Sequence, residues 1–269
     1  MVCPRILRKL PRQAARDGPC QTNKDRTVTV ANTYMQACLN GARTPDQHPA
    51  LPVTPDQLAA DSVAAHRAGA KAVHLHPKTR YGVDSLEPDV VAAVVTAVRH
   101  AAPGLPLGVT TGFWALPHEH ARLATVDSWK VLPDFASVNW HEKGAAALAR
   151  LLLNKGVGVE AGIFHADAAA AWASSELAEH CLRVMVELPE DGDTATADEL
   201  LAAVQKAGSP AAVLLHGYDG SCWPLLRHAG KRGLQTRIGM EDTLLMPDGS
   251  TAPDNAALVT AATDLLAGD

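Results

Sequence analysis

From Tyr34 to the C-terminus, short apolar runs alternate with helix-patterned segments, and this alternation limits the chain more than any other feature. The runs are YMQACLNG, AKAVHLH, LPLGVTTG, DFASVNW, VGVEAGIF, LRVMVELP, AAVLLHGYD and QTRIGMED. Several contain unbroken apolar stretches (AVHL, VMV, AAVLL), as strands covered on both faces do. The clearest helix is TPDQLAADSVAAHRAG. There Thr54 is placed to cap, Pro55 takes the first helical position, Gln57 completes a capping box and Gly69 marks the stop. Strands alternating with helices of about 10–15 residues predict parallel βαβ units. Eight such units predict a closed (β/α)8 TIM barrel, an α/β fold. An open doubly wound sheet competes, but no glycine-rich phosphate fingerprint follows the first run.

The 269-residue chain places this barrel at 34–269, as one catalytic domain. Residues 1–33 begin basic, lack the apolar segment of a signal peptide and read as a flexible extension, with Met35 as an alternative start. A net charge of -5 gives no support for nucleic-acid binding. No apolar run approaches the roughly 20 residues that span a bilayer. The five cysteines show neither metal nor disulfide spacing, which points to a reducing cytoplasm.

In a barrel of this kind, chemistry gathers at the C-terminal ends of the strands. His74 and His76 share one face of the second strand, because side chains alternate along it. Two imidazoles buried side by side each need a partner, and neutral imidazole is the commonest metal ligand. Along TRIGMED, period two puts Arg237, Gly239 and Glu241 on one face, with Gly239 leaving room between the long side chains. Glu241 beside the two histidines predicts a His2Glu site suited to Zn2+. An internal ion pair is the competing role for Arg237 and Glu241. Asp242, next to the metal, is placed as a general base.

HLH, TTG, SVN and RIGMEDTL, in that order on successive strand ends, resemble the β-keto acid cleavage enzymes typified by 3-keto-5-aminohexanoate cleavage enzyme. The segment NGAR…PVTPDQLAADSVAAHRAGAKAVHLHPK is similar to the first βαβ unit of that family. The resemblance implies a zinc-dependent acyltransferase. It would condense a β-keto acid with acetyl-CoA, its co-substrate, to give acetoacetate and a new acyl-CoA. It implies His74, His76 and Glu241 as metal ligands and Asp242 with Arg237 as catalytic residues. Thr110, Ser137 and Asn139 would hold the substrate, and Glu160 matches a strand-five acid of the family less closely. Arg43 stands where well-studied members carry Glu, which implies a neutral or anionic keto acid. Phe113 and Trp114 imply a narrower, more apolar pocket. Partners are then the keto acid, a CoA thioester and further copies of the chain, as a dimer or tetramer. A metal-dependent hydrolase of the amidohydrolase type is the competing reading, with His165, His216 and Asp242 completing its ligand set. A barrel that binds but no longer turns over is the non-enzymatic one.

Overall fold

A computed structural model describes residues 34–268, so the expectation for residues 1–33 lies outside it. Its strands are β1 (Met35–Cys38), β2 (Ala72–Leu75), β3 (Leu107–Thr110), β4 (Phe135–Asn139), β5 (Gly158–Ile163), β6 (Arg183–Leu188), β7 (Ala212–Gly217) and β8 (Thr236–Ile238). Each is followed by a helix: α1 (Pro55–Arg67), α2 (Pro88–Ala101), α3 (Glu119–Asp127), α4 (Ala145–Asn154), α5 (Ala166–Ala173), α6 (Thr194–Gln205), α7 (Cys222–Lys231) and α8 (Asn255–Gly268). The strands pair in parallel in the order β7-β6-β5-β4-β3-β2-β1-β8. A parallel bridge between Leu214 and Gln235 joins β7 to β8 and closes the ring. The eight-unit barrel is therefore present, with the Thr54–Gln57 capping box and Gly69 ending α1 as the sequence predicts.

Period two divides each strand between helices and barrel interior. On β6, Val184, Val186 and Leu188 join the apolar layer under the helices, along with Val91, Val94, Val95 and Val98 of α2. Arg183, Met185 and Glu187 face the other way. Within the barrel, Gln36 Nε2 donates to Glu160 Oε1 (2.9 Å), and Arg183 Nη1 pairs with the same oxygen (3.0 Å). Arg183 also stacks on the Tyr34 ring, 4.5 Å from its centroid. These polar groups fill the interior, leaving the C-terminal mouth open for a site. Among the described residues no helix is long and apolar enough to cross a membrane.

Asn255, the first residue of α8, ties that mouth together. Its side chain accepts from Met240 N (2.7 Å) and donates to Leu39 O (2.7 Å) and to Asp61 Oδ2 on α1 (2.7 Å). Burial pushes the Asp61 carboxyl up to about 6, against the hydrogen bond from Asn255. Between about pH 4 and pH 6 the folded chain then holds a proton that the unfolded chain has released, so this contribution to stability falls as pH rises. Asp61→Asn, which cannot ionise, is expected to be more stable than the parent above pH 6 by on the order of 2–3 kcal/mol. Urea midpoints should show that gain at pH 7.5 and none at pH 4.

Candidate metal centre

β2 ends at Leu75, and His76 continues its line because the side chain of Asn40 acts as a substitute strand. Asn40 Oδ1 accepts from His76 N (2.8 Å) while its Nδ2 donates to His76 O (3.0 Å). Both imidazoles are buried, with ring centroids 5.4 Å apart. Glu241 arrives from the far side of β1. Its Oε2 lies 3.7 Å from His74 Nε2 and its Oε1 lies 3.7 Å from His76 Nε2. The three candidate ligand atoms fall within 4.8 Å of one another, and among the described residues no other group of this kind forms.

The route by which Glu241 reaches the site differs from the sequence expectation. β8 stops at Ile238, so Glu241 sits in the following turn, not on a strand face with Arg237. Gly239 does not make room between side chains. It lets the turn close against β1, where an added Cβ would stand 2.0 Å from Cys38 O. Glu241 N then donates to Cys38 O (3.1 Å), fixing the carboxylate across the mouth. Gly41, at φ +54°, supplies the other close approach, since a Cβ there would meet Glu241 Cγ at 2.5 Å.

The donor set fits a divalent metal. Burial lowers the His74 pKa to about 3, so the ring is neutral and its lone pair free at neutral pH. Burial alone would raise Glu241, but the Arg237 guanidinium and the two imidazoles hold its carboxyl well below the usual range. Glu241 Oε2 is buried with no hydrogen-bond partner, a costly arrangement for a site without an ion. His76 has the outer partner that metal-binding histidines usually carry: its Nδ1 lies 2.6 Å from Asp84 Oδ2, leaving Nε2 to face Glu241. Asp84 is itself held by Lys78 and by Trp114 Nε1 (3.0 Å), and the Trp114 ring stacks on His76 at 5.8 Å. Asp84→Asn should weaken metal affinity about 10–100-fold, read by competition with a chromophoric chelator.

Two adjoining cavities meet at this cluster. One, of about 120 Å³, is lined by His74, His76, Thr110, Ser137, Asn139 and Glu187, among others. The second, of about 250 Å³, opens further out and adds Arg43, Gln47 and Tyr218. Thr110, Ser137, Asn139 and Arg43 are thus brought together around the candidate ligands. Arg43 Nη2 donates to Asp219 Oδ1 (2.6 Å), its guanidinium lies 4.8 Å from the Tyr218 ring centroid, and its Nε has no partner. Asp219 reaches it from a φ of +45°, the one non-glycine positive φ among the described residues. Trp114 walls both cavities, whereas Phe113 packs edge-on against it and stays half exposed.

Two expected site residues stand elsewhere. Glu160 lines neither cavity; its register opposite Arg183 on β6 makes it an interior ion-pair partner. Asp242 is fully buried behind Arg237, which donates to its Oδ1 from Nη2 (2.7 Å) and Nε (3.0 Å) and to Glu241 Oε1 from Nη2 (2.8 Å). Arg237 and Glu241 therefore do form an interior ion pair, and the same pair positions Glu241 beside the histidines. The amidohydrolase set is not assembled: His165 caps α5 by accepting from Ala168 N, and His216 lies outside the candidate ligand cluster. Sequence reading passed over Asp84, and it passed over Glu187, whose place on the inward face of LRVMVELP period two could have revealed.

The comparisons with known proteins point to one family and one fold. The family model described as beta-keto acid cleavage enzyme matches residues 32–268. A 3-oxoadipate:acetyl-CoA acetyltransferase of Cupriavidus necator (strain H16) is 40% identical over 65 residues, which is 24% of this chain and 23% of that relative. Among solved structures, apo ObcA superposes with a TM-score of 0.62 at 18% identity, covering 82% of this chain and 62% of that one. ObcA with oxaloacetate gives 0.63 at 17% identity, covering 82% and 64%. The tryptophan synthase α chain of Legionella pneumophila gives 0.57 at 11% identity, covering 87% and 92%, a likeness of barrel alone. The chain spans less than two thirds of ObcA and under a quarter of the curated relative. With the family model covering nearly every described residue, and His74, His76 and Glu241 converging at the barrel mouth, the chain belongs to the beta-keto acid cleavage enzyme family.

Proposed function

We propose that the protein exchanges acyl groups between a β-keto acid and acetyl-CoA, giving acetoacetate and a new acyl-CoA. The observation that carries this reading is the convergence of His74, His76 and Glu241 beside two cavities in a chain of this family. Those three residues would hold Zn2+, for which two neutral imidazoles and one carboxylate with an open position are a common catalytic set. When bound there, the ion would supply Lewis acidity that lowers the cost of charge developing on the substrate.

The chain's own groups do the rest. Thr110, Ser137 and Asn139 line the smaller cavity and offer a hydroxyl, a hydroxyl and an amide to a carboxylate or keto oxygen. Arg237 Nη2 donates to both Glu241 Oε1 and Asp242 Oδ1, and its Nε also donates to Asp242, so the buried Asp242 fixes the guanidinium that holds Glu241 and borders both cavities. Arg43 sits where the tail of the keto acid would extend, with one unpaired N–H, which favours a neutral or anionic tail over an aminated one. The name of the Cupriavidus relative, a 3-oxoadipate enzyme, fits an anionic tail. Metal analysis of the purified protein, with CoA-ester profiling of acetyl-CoA plus neutral, dicarboxylic and aminated β-keto acids, tests the reading. Stoichiometric metal and a new acyl-CoA from the neutral or dicarboxylic acids are expected; a metal-free protein, or preference for the aminated acid, would contradict it.

A further inference from the structure

A buried ion pair stands behind Asn139, outside both cavities of the site. Arg122 of α3 and Glu142 of the turn after β4 meet at 2.7 Å between Nη1 and Oε2, with 3% and 4% of their side-chain surface exposed. Neither lines the two cavities. Glu142 Oε1 accepts from Asn139 Nδ2 (2.9 Å), and Asn139 lines the smaller cavity. Resting on the function proposed above, we infer that Glu142 is a positioning residue. Held by Arg122, it fixes which way the Asn139 carboxamide faces, and so presents a hydrogen-bond donor to the oxygens of the keto acid.

Three neighbouring units build this arrangement. Glu142 N donates to Asn139 O (3.0 Å), a tight turn that brings the Glu142 side chain back beside its own strand end. Arg122 Nη2 donates to Lys143 O (2.9 Å), so the guanidinium grips that turn through backbone and side chain together. None of the buried polar atoms of Arg122, Glu142 or Asn139 lacks a partner among the described residues, unlike Arg43 Nε and Glu241 Oε2 at the mouth. On its other edge the amide meets β5. Gly162 stands opposite Asn139 in register, and a Cβ there would lie 2.5 Å from Asn139 Oδ1. A buried ion pair is weak support for stability compared with apolar residues of similar volume. What this one supplies is direction.

The inventory of donors and acceptors leaves one orientation. A carboxylate paired with a guanidinium only accepts, so Asn139 turns Nδ2 toward Glu142 and Oδ1 toward Gly162. That bond uses one of the two Nδ2 hydrogens; the second has no partner among the described residues and is free for the cavity. An ionised β-keto acid offers only acceptors, a keto oxygen and a carboxylate. A fixed donor suits it, whereas an inverted amide would set an oxygen lone pair in the same place. Glu142→Gln reverses the arrangement. Arg122 still needs an acceptor and takes the one Gln oxygen, so the Gln NH2 faces Asn139 and the amide inverts.

The test titrates acetoacetate, without acetyl-CoA, into the metal-loaded protein by calorimetry, with metal content and thermal midpoint read for each variant. Glu142→Gln should bind about 10–100-fold more weakly than wild type with metal content unchanged. In an Asn139→Ala background the same change should cost no further affinity, because Glu142 acts through that amide. Arg122→Met/Glu142→Gln separates orientation from packing. Without Arg122 the Gln oxygen is free to accept from Asn139, the amide turns back, and most of the lost affinity should return although a buried ion pair has gone. A merely structural role predicts the opposite order, with the double variant the weaker binder. Glu142→Gln binding acetoacetate like wild type, a further loss in the Asn139→Ala background, or a double variant no better than Glu142→Gln overturns the assignment. A wild type that neither binds acetoacetate nor transfers acyl groups would instead bring down the underlying functional reading.

Discussion

His74→Ala is expected to leave the barrel folded, without bound metal and without acyl transfer. The ring contributes one of three candidate ligands and is held neutral by burial, so its loss leaves an incomplete donor set. Lewis-acid assistance is worth several kcal/mol, and each ~1.4 kcal/mol is tenfold in rate, so activity should fall by about 10³-fold or more. Metal content by elemental analysis separates this from a packing effect. A purely structural histidine pair would yield a variant with unchanged metal and altered stability; the metal site predicts lost metal with secondary structure intact.

Arg237→Met is expected to lower stability more than any substitution at the cavity rim. Asp242 is fully buried, and the two nitrogens that hydrogen-bond its Oδ1 belong to Arg237, with His216 Nδ1 further off at 3.4 Å. Removing one partner of a buried pair leaves an uncompensated charge, which costs about 3–5 kcal/mol. For a chain of this size that is a drop of roughly 6–20 °C in Tm. The double variant Arg237→Met/Asp242→Leu removes both charges and should regain much of the midpoint while remaining inactive. A single variant that melts with wild type would mean that Asp242 has another way to be neutralised.

Much of this architecture was legible because each strand announces itself locally. The Thr54 capping box, the Gly69 stop and the apolar runs are short-range signals, and eight of them leave little choice of topology. The histidine pair was legible for the same reason, since two residues apart on a strand means one face. Glu241 was identified with the right partners by the wrong path: period two does not extend past Ile238, because Gly239 turns the chain against Cys38 O. Such a turn depends on a carbonyl two hundred residues away in sequence and leaves no local trace. Glu160 and Glu187 show the complementary limit. Both are acids on inward strand faces, yet one is claimed by Arg183 within the interior and the other reaches the mouth. Depth along the barrel axis, which comes from register between strands, decides between those roles.

The most direct test of the central claim follows carbon. Protein supplied with a β-keto acid and acetyl-CoA labelled with ¹³C in the acetyl group is quenched and its products read by NMR and mass spectrometry. Acyl exchange predicts label at C3 and C4 of acetoacetate, an unlabelled acyl-CoA carrying the tail of the keto acid, and equal amounts of the two. Label recovered as free acetate, or acetoacetate formed without a matching acyl-CoA, would contradict it.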